Sequence, residues 1–177
     1  MSAFKSISLV ALLIIAVILI FAATKPDEFR VERSITIKAP AEKIFPLMND
    51  LHSFGQWSPY EKVDPAMKRT YSGPQSGKGA VYAWEGNDSI GHGRMEIVES
   101  TPPSLVTIKL DFFKPFEAHN TAEFKLQPSA EGTVVTWAMF GPAPYMSKVM
   151  TVFFSMDKMV GGQFEEGLNN LKALVEK

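Results

Sequence analysis

The sequence predicts an α+β domain in which seven antiparallel strands are covered by one long C-terminal helix, with two short helices after strand 1 and a transmembrane helix in front. Three observations predict it. Short runs of alternating polarity are joined by tight turn residues rather than by helical crossovers. Beyond Pro142 and Pro144 a helical run, Tyr145 to Glu176, repeats apolar residues every three or four positions. Ile7 to Ala23 is almost unbroken Leu, Ile, Val and Ala. A sheet followed by one covering helix makes a container.

The N-terminal run, as a helix, spans about 25 Å, close to the hydrocarbon thickness of a bilayer. Residues 1–24 therefore read as a single-pass anchor, 25–30 as a linker and 31–177 as the domain it carries. A cleaved signal peptide is the rival, but cleavage after Ala22 or Ala23 would put Ile20 or Phe21 where a small residue is preferred. The expected setting is a bacterial inner membrane. Lys5 and the amino terminus against Lys25 and Arg30 give a nearly even charge contest, tipped toward the domain lying outside.

Val31 to Lys38 alternates as the first strand, with Val31, Arg33, Ile35 and Ile37 in one phase. Ala39 and Pro40 open a helix that Pro46 must kink or end, and a second short helix covers Leu51 to Gln56. Trp57, Ser58, Pro59 and Tyr60 then form a turn at one end of the container. The later strands sort their side chains by phase. Val106, Ile108, Leu110 and Phe112 face inward, leaving Lys109 and Asp111 to water. Ala118, Asn120, Ala122, Phe124 and Leu126 do the same, leaving His119 and Glu117 outside. Gly93, Met95 and Ile97, the pair Tyr82 and Trp84, and Val135, Trp137 and Met139 complete the inner set.

The helix contributes a stripe of Val149, Phe153, Met156, Val160, Phe164, Leu168, Leu171 and Leu174. Gly161, Gly162 and Gly167 interrupt it, each costing about 1 kcal/mol against alanine, so a packing or space-making reason is expected beneath them.

Composition narrows the function. The 177 residues carry a net charge of −1, and the first 24 contain only Lys5, so the rest stands at −2. Nucleic acid is a poor partner for such a chain. With no cysteine there is no thiolate nucleophile and no Cys-based zinc site. His92, His119 and Glu117 resemble a metal trio only loosely, since their phase puts them on the solvent side. Neither a metal nor another cofactor is expected. Ser58 lacks a nucleophile-elbow frame, and the glycines at 73–79 and 91–93 precede no helix and read as hairpin turns. No inward acid or base stands out, so no catalytic residue is assigned. The interior is aromatic and thioether-rich, with Asn120 and the Tyr82 hydroxyl as its polar handles. Such a lining suits a greasy ligand, or else interdigitates as a dry, filled core.

The stretch from Val31 to Glu176 resembles the SRPBCC superfamily of START-like helix-grip proteins, most closely the polyketide cyclase/dehydrase and lipid transport branch. The resemblance rests on Arg33, Ser34 and Ile35 leading to Ala39 and Pro40; Phe45 to Asp50; Trp57, Ser58 and Pro59; Gly77 and Gly79 before Tyr82 and Trp84; Gly91 and Gly93; Thr136 and Trp137; and Gly161, Phe164, Glu166, Gly167, Leu168 and Leu171. It implies a deep apolar cavity between a curved sheet and the C-terminal helix.

The expected ligand site is Trp57, Tyr60, Tyr82, Trp84, Met95, Leu110, Asn120, Phe124, Trp137, Met139, Val160, Phe164 and Leu168. The favoured expectation is a membrane-tethered protein holding or transferring a hydrophobic, lipid-like molecule. A cyclase or dehydrase acting in the same cavity is the alternative. A protein-interaction module, as in the Hsp90-activator relatives, comes third.

Overall fold

The computed structural model describes residues 2–177, with side chains from Ile7 onward. Seven strands form one antiparallel sheet in the order β1-β7-β6-β5-β4-β3-β2: β1 Glu28–Ile37, β2 Lys68–Ser72, β3 Val81–Glu85, β4 His92–Thr101, β5 Leu105–Lys114, β6 Ala118–Ser129 and β7 Gly132–Pro142. Only β1 is placed out of sequence order; it closes the far edge by pairing with β7 from Glu28↔Pro142 to Ile37↔Thr133. That pairing starts the strand three residues before the expected Val31. Register shifts in β4, at His92/Gly93 and Ile97/Glu99, bend the sheet where irregular pairing increases local twist.

Two short helices, α2 Ala41–Ile44 and α3 Pro46–Asn49, follow β1, and Pro46 opens the second because a first-turn position needs no amide donor. The expected second helix is a 3-10 turn, Leu51–Gln56, in which the Asp50 carboxylate accepts from the His52 amide.

The C-terminal helix is two helices, not one: α4 Tyr145–Phe153 and α5 Met156–Val175. Phe154 is extended and Ser155 accepts from the Lys158 amide through its hydroxyl, so a serine cap restarts the helix inside the apolar stripe. α5 covers the sheet. α4 turns away to lie against α1, Ser2–Ala23, where the Tyr145 hydroxyl donates to the Leu19 carbonyl at 2.9 Å. Phe153, expected in the covering stripe, is exposed.

Among the described residues no helix is long and apolar enough to cross a membrane. The described side chains of α1 begin at Ile7, and from there to Ala23 the helix covers about 25 Å against a hydrocarbon core of about 30 Å. Within that stretch the large side chains are mostly exposed: Ile7, Leu9, Leu12, Ile15, Val17 and Ile20 project outward, while Ala22 is buried.

The glycines of α5 divide by what lies beneath them. A Cβ on Gly161 would overlap the Arg33 guanidinium, which runs under the helix to pair with Asp157 and Glu165. One on Gly167 would meet the Trp137 ring at 2.7 Å, whereas Gly162 faces open space. The room directly beneath Gly161 and Gly167 is thus occupied by this chain's own side chains.

Candidate functional site

The shell is half filled. Along each central strand the inward residues change character midway. Ile97, Val106, Leu126 and Val135, toward one end, are all buried in close packing with Ile37, Ile44, Met48, Leu51 and Leu171. Their neighbours two residues toward the other end, Met95, Ile108, Phe124 and Trp137, line a cavity of about 390 Å³. That volume lies within the roughly 300–1,000 Å³ of small-molecule sites.

An aromatic floor separates the two halves. Trp137 stacks on Phe164 with centroids 4.1 Å apart, and Phe124 and Trp57 pack against Trp137 at 5.2 and 5.4 Å. Gly167 allows the Trp137 ring this close to α5.

The register locates the mouth. Glu28 opposite Pro142, Phe112 opposite Ala118, and Glu85 opposite His92 place the start of β1, the exit of β7 into α4, and the β3–β4 and β5–β6 turns at one end of the sheet. Exposed Ser89 and Val63 line the cavity at this end, and Ile90 completes its rim from the same turn as Ser89. Most of the large apolar side chains left exposed on the domain gather in these same segments: Phe113 and Phe116, Met146 and Met150 on α4, and Phe153, Phe154 and Met159 where α4 gives way to α5. α1 joins the domain here too, with Lys25 Nζ donating to the Thr151 carbonyl at 2.6 Å and Lys148 of α4 paired with Asp27.

Of the residues expected to meet a ligand, Tyr60, Tyr82, Trp84, Met95, Leu110, Phe124, Trp137, Met139, Val160 and Phe164 line the cavity. Three do not. Trp57 lies beneath the floor, fully buried, with its indole N–H given to the Leu47 carbonyl at 3.0 Å. Leu168 belongs to the packed half, one turn too far along α5. Asn120 has the inward phase, but its amide is turned against the Gly141 backbone rather than into the hollow. Gly93 is pressed under the Trp84 indole, which donates to the Ile90 carbonyl at 3.2 Å.

The polar handle is elsewhere, on Glu61. This residue follows the Trp57–Tyr60 turn on a second 3-10 turn, Pro59–Lys62, and the expectation of no inward acid is corrected here. Its Oε1 accepts from the Tyr82 hydroxyl at 2.6 Å and its Oε2 from Arg69 Nε at 2.8 Å. Burial, and then the hydrogen bond to the neighbouring carboxylate, push the Tyr82 phenol far up, so it remains a donor. Burial alone pushes the Tyr60 phenol up to about 12.

No strand period could reveal Glu61, because it sits in a turn. The available clue was Pro59, which opens that turn immediately after a buried serine.

Asp111 also departs from expectation: its strand phase is outward, yet it is buried on that face beneath His119 and Lys109. His92 lies opposite Lys114 and His119 opposite Asp111. No metal-binding group of three or more acidic or histidine side chains occurs among the described residues.

Comparison with known proteins agrees with this architecture. A protein from Chromobacterium violaceum superposes with a TM-score of 0.58 at 15% identity, over 86% of this chain and 99% of that one. The Aha1 dimer from Colwellia psychrerythraea gives 0.57 at 17% identity, over 84% and 96%. The di-domain ARO/CYC StfQ of the steffimycin biosynthetic pathway gives 0.64 at 12% identity, over 84% of this chain and 51% of that one. At such identities the likeness is one of fold alone, the helix-grip fold. No curated protein matches the chain in sequence. A sequence profile does match, over residues 28–176, which take in the whole sheet, the aromatic floor and α5. The chain belongs to the polyketide cyclase / dehydrase and lipid transport family.

Proposed function

We propose that this chain is a membrane-anchored binding protein that holds or transfers a hydrophobic, lipid-like molecule in the cavity between the sheet and α5. The observation that carries the reading is the position of the mouth: an apolar hollow opens at the same end of the sheet from which α1 departs. The part of α1 described with side chains is shorter than a full span, but the Ile, Leu and Val side chains it exposes favour hydrocarbon over water, which supports docking of this helix in a membrane. The apolar rim formed by Phe116, Met150 and Phe154 extends the same oily surface toward the mouth. An anchor so placed brings the opening to its source of ligand.

Native mass spectrometry of the full chain, purified from a membrane-containing host, tests this reading. A co-purifying apolar molecule is expected. A protein that emerges empty and takes up neither a neutral nor an anionic fluorescent lipid would sink the proposal.

One observation favours a second reading, a cyclase- or dehydrase-like enzyme. Glu61, accepting from the Tyr82 hydroxyl, puts a carboxylate on the cavity wall, the kind of group that proton transfer requires. Turnover of a poly-β-keto thioester by the wild type, lost in Glu61→Gln, would bring this reading to the front.

A further inference from the structure

The cavity wall carries a charge whose sign limits what can enter. Glu61 lines the hollow, whereas its counter-ion Arg69 does not. The guanidinium is spent on the far side: Nε on Glu61 Oε2, Nη1 on the Met67 carbonyl at 2.9 Å and the Pro65 carbonyl at 3.3 Å, and Nη2 on the Glu61 carbonyl at 3.4 Å. The ion pair therefore presents its negative end to the cavity, and among the described residues no lysine, arginine or histidine lines it.

A carboxylate offers about four lone-pair positions, and Tyr82 and Arg69 occupy two. The rest are left without a protein donor on a residue that lines the hollow. Among the described residues the Tyr60 hydroxyl makes no hydrogen bond to a protein group, and the Tyr60 side chain lines the cavity, which leaves this hydroxyl free for a ligand.

We infer that the cavity selects an uncharged hydrophobic ligand bearing a hydroxyl, which donates to Glu61 and accepts from Tyr60, and that it rejects carboxylates such as free fatty acids. This rests on the ligand-holding function proposed above and names its ligand class. An anionic head would be desolvated beside a fixed carboxylate with no cation to meet it, and both effects oppose binding. A cationic head would lose its hydration to meet a carboxylate whose charge is already shared with Arg69, so the attraction of the ion pair's negative end repays only part of that cost.

The test uses the full chain in detergent micelles at pH 8, with quenching of the cavity tryptophans Trp84 and Trp137 by 12-bromododecanol and by 12-bromododecanoate. The alcohol is expected to bind about tenfold or more tighter than the carboxylate, and Glu61→Gln is expected to shrink that ratio, while Tyr82→Phe, which keeps the charge, preserves it. Equal binding of the two ligands by the wild type, or a ratio unmoved in a folded Glu61→Gln protein, overturns the selectivity and leaves the binding function standing. Failure of both ligands to bind overturns both. The wild-type ratio decides the matter by itself if Glu61→Gln does not fold.

Discussion

The two ends of the sheet are built from the same strands and behave as different materials. On β4, Ile97 is completely enclosed, while Met95, two residues away on the same face, looks into the hollow. On β7, Val135 and Met139 stand in the same relation across Trp137. A filled core and a container need not be rival descriptions of such a fold. The packed half supplies cohesion, and the floor of Trp137, Phe164 and Phe124 stops it from collapsing into the other half. Only the open half is free to be shaped by a ligand.

The sharpest way to break this comparison is to truncate one residue at each end. Ile97→Ala removes atoms from close packing and should cost about 2–5 kcal/mol, read as a fall in thermal or denaturant midpoint. Met95→Ala enlarges a hollow that already exists and should cost only about 1 kcal/mol, while admitting a bulkier probe. Equal losses at the two sites would mean that the cavity is packed in solution.

Next in size are the glycines of α5. Gly167→Ala drives a methyl group into the edge of the rigid Trp137 ring and against Pro59, and should destabilise by about 1–3 kcal/mol. Gly162→Ala meets nothing and should stabilise by up to about 1 kcal/mol through helix propensity alone. Both are read by thermal melts. If Gly167→Ala proved neutral, the floor would be softer than its stacking implies.

These contrasts also mark what was legible in the sequence. The inward set of each strand followed from alternation, because one buried face forces a period of two; Ile97, Val106, Phe124 and Trp137 were readable on that ground. Periodicity assigns a face, not a depth along an element, so it could not separate Leu168 of α5 from the cavity lining, and Trp57, in a turn between two 3-10 segments, has no period to read. The break at Ser155 was hidden because the apolar repeat continues through it, and only the cap geometry decides that α4 leaves the sheet. Glu61 escaped for a different reason: a turn has no face, and its orientation is fixed by partners from β2 and β3 that are distant in sequence.

The smallest effect concerns the outer surface of the open end, where ion pairs replace packing. Burial raises the Asp111 carboxyl, but the hydrogen bonds and charges of His119 and Lys109 outweigh it and hold the group below the usual carboxylate range. The hydrogen bond to Asp111, assisted by its charge and by Glu117, raises His119 above 6.5. The histidine therefore contributes stability that is fully present below pH 6.5 and is lost as pH rises through its elevated folded value. Asp111 contributes stability present above the ordinary carboxylate range and lost as pH falls through its depressed value. His119→Gln should accordingly open a gap in melting temperature from the wild type that is widest near pH 5–6 and closes on the alkaline side. Ile97→Ala, at the packed end and remote from any titrating group that faces it, should keep a gap of constant size over the same range. A His119→Gln gap that widened with rising pH would mean that the imidazole stands neutral over Asp111, and the open end would then owe nothing to this ion pair.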